Sequence, residues 1–428
     1  MNQKLKPFLS ICCLLCIGIL VWQQQPAAAD EDITLPDGFQ YEVLLDGSVL
    51  TEVSGIGTSM TGDVYISDIG EAAVYGDEQL LWLEPDLTSL TVMETGLPLG
   101  MPARLAVGHS HPLLGNNLVL ADWNSNETAP CCYGRVFQVD RGTFGFSTLA
   151  VGNPAFPPPG DPFGVALEPS GAGIYIMDFE GASPHPPVLY RINNDGTQSV
   201  VASNPAVWTV NRRPTDIAFG PGNGFGDQLY VADSISPPTI WKVSMAGDIT
   251  SFFSGAPLQE PAALAFGPGG DFGTDLYVFD DATGTIYTVT ATGVVSTFAT
   301  GLPANAPSSI TPDMAFAQDG SSLLVGTGDR LISIFVPPPT WADLYAVIAA
   351  AQIDNEGVRR SLQAKAEAAY RAYDRGNLDT AGEILCALLD EVVAQTGVHI
   401  EPASAETIRN TAVNLATALG IPLPCLTG

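Results

Sequence analysis

The sequence predicts an all-β six-bladed propeller followed by a small all-α helical bundle, on three observations. A strand-like run closing on Asp recurs every 47 to 56 residues, ending at Asp68, Asp122, Asp178, Asp233 and Asp280, with Thr327 at the sixth place. Between these marks apolar residues alternate with period two and are punctuated by Gly, Asn and Asp, as in strands joined by hairpins. At Pro337-Pro338-Pro339 the composition then turns abruptly to Ala, Leu, Glu and Arg. A fixed period of this length means one supersecondary unit repeated, and four antiparallel strands per unit make a propeller blade.

Residues 1–29 read as a secretory signal peptide: Lys4 and Lys6, an apolar run from Phe8 to Trp22, and a small-residue exit at Ala27-Ala28-Ala29. The run is shorter than the ~20 residues of a spanning helix, so the expected product is soluble, secreted or periplasmic, and begins near Asp30. Formal net charge is −30, and removing the two leader lysines makes it more negative. An acidic chain lacks the basic footprint that nucleic acid or an anionic membrane requires. It favours solubility, or a cationic partner such as Ca²⁺.

Residues 30–336 carry the repeat. Its clearest copies are PTDIAFGPGNGFGDQLYVAD, Pro214 to Asp233, and PAALAFGPGGDFGTDLYVFD, Pro261 to Asp280. After each Asp come a turn, an alternating strand such as Thr239 to Val243, a short hairpin and a fourth strand such as Ile249 to Phe253. The sixth unit stops after Arg330 to Phe335, one strand short. The segment 38–45, Gly38 to Leu45, resembles the fourth strand of the other units and is the expected donor, closing the last blade. An unclosed ring would expose strand edges.

The Asp-terminated LYVAD-type strands and the PTDIAFGPG-type first strands resemble the NHL and SMP-30/gluconolactonase-like superfamily of six-bladed propellers over about 32–336. That superfamily includes binding modules, lactonases, phosphotriesterases and lyases, and fold does not imply function. The resemblance implies a divalent cation at the channel mouth, held by a Glu of the first blade with Asn and Asp from others. Glu52 and Asp216 fall at comparable places, but the family's Asn-Asp and Asp-Gly signatures are not reproduced.

Residues 337–340 read as a Pro-rich linker and 341–428 as a helical domain. Helices are expected near 341–352, 356–374, 378–396 and 403–419, with stops at Gly376, Gly397 and Gly420. Apolar stripes such as Val358, Leu362, Ala366, Ala369 and Tyr373 predict an antiparallel bundle. Ser361 to Ala369, Arg375-Gly376-Asn377 and Thr407 to Leu419 resemble the FIMAH module of secreted bacterial proteins, which implies an accessory or attachment element without chemistry of its own.

Four cysteines follow the leader. Cys386 and Cys425 are expected to form a disulfide stapling the tail to a helix. The adjacent Cys131 and Cys132 form either a vicinal ring or two thiols. No Cys/His spacing suits zinc.

Candidate ligand residues are polar side chains where the innermost strands begin: Glu52, Arg104, Asp216 and Asp313, with Arg213 close by. Glu52, Asp216 and Asp313 are the candidate metal ligands, for Ca²⁺ or another divalent cation. The five blade aspartates read as caps accepting from amides two residues onward. His109 and His111, on a surface turn, lack the elbow of a nucleophile; His185 and His399 read as surface residues. The loops Gly220 to Asp227 and Gly267 to Asp275 read as tight turns, without the ligand count of a Ca²⁺ loop. The leading expectation is an exported, non-catalytic binding propeller recognising a small molecule, glycan or extracellular protein on one face. The alternative is a metal-dependent lactonase-like hydrolase at the channel mouth. A quinone-dependent sugar dehydrogenase would need a basic, His-bearing pocket that the sequence does not show.

Overall fold

The computed structural model describes residues 32–70, 76–96, 98–123, 134–151, 161–179, 186–210, 212–304 and 312–426. The expected leader, Cys131, Cys132 and His185 lie outside them. The chain divides into two compact units, one up to Val336 and one from Pro337 onward.

In the first unit the described residues form six antiparallel sheets of four strands. The innermost strands of blades one to six are Val53–Thr58, Pro102–Val107, Asp161–Leu167, Pro214–Phe219, Pro261–Phe266 and Asp313–Phe316. Each adjoins the innermost strands on either side, so the ring closes from blade six back to blade one. The second strands end where the repeat predicted, at Asp68, Asp122, Asp233, Asp280 and Thr327, and one residue past Asp178 in blade three.

Blade six takes Gln40–Leu45 as its outer strand, with Gln40 opposite Phe335 and Glu42 opposite Ser333. Alternation explains the choice: Phe39, Tyr41 and Val43 face the core shared by blades five and six, where the Phe39 ring stands edge-on to Phe272 and Phe298 at 5.1 and 5.2 Å. Thr34 also bridges Thr300 of blade five. The N-terminal segment therefore covers an edge and plugs an inter-blade core at once.

One irregularity recurs near the axis. In blades one, four and five the innermost strand carries an extra residue against its partner: Val53 faces Asp68 while Gly55 faces Ser67, and Pro214 faces Asp233 while Asp216 faces Ala232. Such a bulge re-aims the side chains beside it. Ser54 Oγ donates to the Pro102 carbonyl at 2.6 Å and Thr215 Oγ1 to the Pro261 carbonyl at 3.0 Å, each in the following blade. At Gly55 a Cβ would lie 2.4 Å from the Ala103 carbonyl, so that close approach requires glycine.

The second unit holds α1 (Trp341–Ala350), α2 (Glu356–Asp374), α3 (Leu378–Gln395) and α4 (Pro402–Ala418). These match the expected helices to within two residues at each end, the usual uncertainty of a frayed terminus. Thr340 and Asp343 form a capping box on α1, and Asn355 and Asn377 cap α2 and α3. The Arg359 guanidinium donates to the carbonyls of Ile348, Ala349, Ala351 and Ile353, occupying the bare C-terminal end of α1. Leu344, Leu362, Leu385, Leu389, Ile408 and Leu415 are among the side chains of the bundle's core. Cys386 and Cys425 are joined in a disulfide. Beside it the tail crosses α3 at Gly382, where a Cβ would overlap the Pro422 carbonyl, so the staple and the glycine serve one contact.

Candidate functional site at the propeller axis

The route into each innermost strand is set by the aspartate ending the second strand of the same blade. Asp68 accepts from the amides of Thr51 and Glu52 at 2.7 and 3.0 Å, and Asp122 from Gly100 and Met101 at 2.8 and 3.0 Å. Asp178 accepts from Asp161 at 2.8 Å, and Asp280 from Gln259 and Glu260 at 2.6 and 2.9 Å. Asp233 accepts from the Arg213 amide and the Trp241 indole and lies 3.3 Å from Arg212. The amide two residues onward, expected from the sequence, is bonded at Gly70 and Ile235. The larger set of partners lies 16 to 22 positions earlier, because a strand ending beside the start of its neighbour offers its carboxylate to that neighbour's incoming amides. In blade six Thr327, lacking a carboxylate, donates to the Pro303 carbonyl instead.

These bonds fix the residues before the innermost strands, Glu52, Met101, Arg213 and Glu260, with Asp161 opening the strand of blade three. Glu52 and Arg213 were candidates from sequence. Met101, Asp161 and Glu260 were missed, although all share one signal, a place immediately before the strand's first Pro or Val. Burial pulls Arg213 below its usual range, with Glu260 opposing.

Three candidates meet inside the channel. Arg104 of blade two is 2% exposed, and Asp216 of blade four and Asp313 of blade six are each 4% exposed. Arg104 Nε lies 3.5 Å from Asp216 Oδ1 and 3.4 Å from Asp313 Oδ1. Its terminal nitrogens donate to the carbonyls of Ser54 in blade one, Ala262 in blade five and Pro312 leading into blade six. The guanidinium also stands over the Phe163 ring of blade three at 5.3 Å. Each carboxylate accepts from its following residue and from the next blade: Asp216 from Ile217 and Leu264, Asp313 from Met314 and Ile56. Arg104 thus touches every other blade. Burial raises both acids above the usual carboxylate range while Arg104 pulls them down.

Two of the three expected metal ligands, Asp216 and Asp313, meet in this layer. Among the described residues no three His, Cys, Asp or Glu side chains are placed to hold a metal ion. Asp216 and Asp313 converge, but on a guanidinium. Glu52 lies on the turn held by Asp68, which accepts from its amide. The carbonyl oxygens and Phe163 were not legible beforehand, because a main-chain acceptor leaves no mark on residue type.

The remaining candidates fall elsewhere. His109 and His111 occupy the turn after Pro102–Val107, at the opposite end of blade two from Asp122. His109 is exposed, but His111 is buried, contrary to the surface position expected, and its Nδ1 accepts from the Leu113 amide at 3.2 Å. Burial holds the His111 imidazole below its usual range, and at His109 partial desolvation of the ring, with Arg141 nearby, acts in the same direction. His399 joins the α1–α2 and α3–α4 connections through Asp354 at 2.8 Å. In the two glycine-rich loops, Phe225 and Phe272 insert into inter-blade cores, and the Tyr230 and Tyr277 hydroxyls donate to their carbonyls. Positive φ at Gly226 and Gly273 explains those glycines without an ion.

No family model matches the chain, and no curated protein matches it. Among solved structures, a gluconolactonase of Xanthomonas campestris is 18% identical with a TM-score of 0.53, covering 73% of this chain and 94% of that one. A structural-genomics target provisionally assigned as a gluconolactonase is 16% identical with a TM-score of 0.51, covering 70% and 93%. The chain shares their fold. At such identities the likeness reaches the ring of six blades and not the chemistry at its axis.

Proposed function

We propose that the protein is a non-catalytic binding propeller that recognises its ligand on the face where the innermost strands begin. The observation that supports this best is the commitment of the axial acids: Asp216 and Asp313 are engaged by Arg104 and by four backbone amides, and among the described residues no group of three acids, His or Cys is placed to hold a metal. On that face the half-buried Glu52, Arg213 and Glu260 offer polar contacts from three blades, two of them acidic. Connections such as residues 255–260 and 281–284 frame this face. Loops on a rigid scaffold are where recognition concentrates. The ligand is a small molecule, a glycan or an extracellular protein. Export and an attachment role for the helical unit belong to the same proposal. The disulfide suits an oxidising compartment, and among the described residues no helix is long and apolar enough to cross a membrane.

The test is a thermal-shift and glycan-array screen of the purified protein, run beside lactone and phosphotriester turnover assays with Ca²⁺ or Mn²⁺. A binding propeller yields a ligand whose affinity drops in Arg213→Ala or Glu260→Gln, without turnover. Divalent-dependent turnover lost in Glu52→Ala overturns the proposal in favour of a hydrolase.

A further inference from the structure

We infer that Arg104 is the resident cation of the propeller axis, and that its guanidinium fills a latent Ca²⁺ site which Arg104→Ala opens. All the polar partners named for that guanidinium are oxygens: the carbonyls of Ser54, Ala262 and Pro312 and the carboxylates of Asp216 and Asp313. A hard divalent cation takes six to eight oxygen ligands, carboxylate and carbonyl mixed. Five oxygens from five residues already converge here on one positive group. What keeps an ion out is the side chain occupying the space.

The same contacts make Arg104 a clasp. It belongs to blade two and touches blades one, three, four, five and six, so it joins residues more than 200 positions apart in sequence, as with Pro312 at 208. Removing one partner of a buried ion pair leaves uncompensated charge and is strongly destabilising. In Arg104→Ala, Asp216 and Asp313 are left facing each other, with three carbonyls bare. Ca²⁺ restores both the charge balance and the coordination that the arginine supplied. Mg²⁺, smaller and demanding octahedral geometry at ~2.1 Å, restores less. Arg104→Lys keeps the charge but replaces a planar fork by a point donor, and falls between. None of this depends on what binds at the mouth.

The experiment measures the melting temperature of the full-length protein and of the Arg104→Lys and Arg104→Ala variants, in EDTA and in millimolar Ca²⁺ or Mg²⁺, with calorimetric titration of Ca²⁺. Wild type is expected to melt at one temperature in EDTA and in Ca²⁺. Arg104→Ala is expected to melt ~10 °C lower in EDTA, to recover much of that loss in Ca²⁺, and to bind one ion, with binding lost in Arg104→Ala/Asp216→Asn. An Arg104→Ala chain that folds only when Ca²⁺ is present supports the inference as well. A variant as stable as wild type in EDTA overturns the clasp, and an Arg104→Lys chain as stable as wild type does the same. Arg104→Ala that gains nothing from Ca²⁺, or folds with neither ion, overturns the latent site. A wild-type protein that binds Ca²⁺ and loses it in Asp216→Asn overturns the assignment of Arg104 as the resident cation.

Discussion

Replacing Asp280 by Ala tests whether the blade aspartates hold the fold or await a ligand. Asp280 is fully buried; its Oδ2 accepts from Gln259 and Glu260 and its Oδ1 from the Thr283 hydroxyl. Alanine leaves the two amides leading into blade five without an acceptor, at about 1–3 kcal/mol each, while Thr283 turns to water; the expected loss is about 4 kcal/mol. Asn keeps one carbonyl oxygen for the amides and gives up the charge assistance, about 1 kcal/mol. Urea unfolding followed by fluorescence of Trp208 and Trp241, which lie in the core between blades three and four, reads the propeller transition. With a slope of about 3 kcal/mol/M, the midpoint falls by about 1.3 M for Asp280→Ala and about 0.3 M for Asp280→Asn. An alanine variant with an unchanged midpoint, or an asparagine variant as damaged as alanine, refutes the hydrogen-bond reasoning.

Two further outcomes are expected. Deleting residues 32–45 uncovers the edge of Arg330–Phe335 and strips Phe39, Tyr41 and Val43 from the core of blades five and six; the cooperative propeller transition should disappear and the product aggregate. A truncated chain with native near-ultraviolet dichroism would show that the ring closes without that strand. Burial pushes Asp178 up to about 8 from an ordinary 3.8, outweighing the bond from the Asp161 amide. The folded chain therefore holds a proton that the unfolded chain has released between those values. By linkage this contribution is fully present below about pH 4 and is lost as pH rises through about 8. Asp178→Asn should flatten the fall of unfolding free energy over that window; an unchanged slope removes Asp178 as its source.

The fold was legible because its marks are local and periodic. Asp68, Asp122, Asp233 and Asp280 end strands that share one alternation, and the incomplete sixth unit pointed to Gly38 to Leu45 as its closing strand. The helices were equally open to reading, since Asn355, Asn377, Gly376 and Gly397 stand at their ends. The axis was legible only in part. Arg104, Asp216 and Asp313 stand out in the sequence as residues near the channel, but the ion pairs that join them do not. Residue type gives the sign of a charge at a position but not which opposite charge reaches it across a ring. That depends on the bulge that re-aims Asp216 and on carbonyls invisible in sequence. The blade aspartates show the same limit, since their principal partners lie in the strand entry packed beside them rather than two residues ahead.

The axial clasp is one instance of a wider use of arginine in this propeller. Arg141 stands over Tyr65 and pairs with Asp63, Arg191 over Tyr175 with Glu168, and Arg212 over Trp241 with Asp233. Each sets a guanidinium on an aromatic face and a carboxylate together, the environment where a weakly hydrated planar cation gains most over lysine. Each pairing removes one charge of either sign, so the net negative charge of the sequence is left on the remaining side chains. An acidic mouth repels anionic ligands over about a Debye length, ~8 Å at physiological salt. For the binding propeller proposed above, this charge favours a neutral or cationic ligand over nucleic acids and acidic glycans.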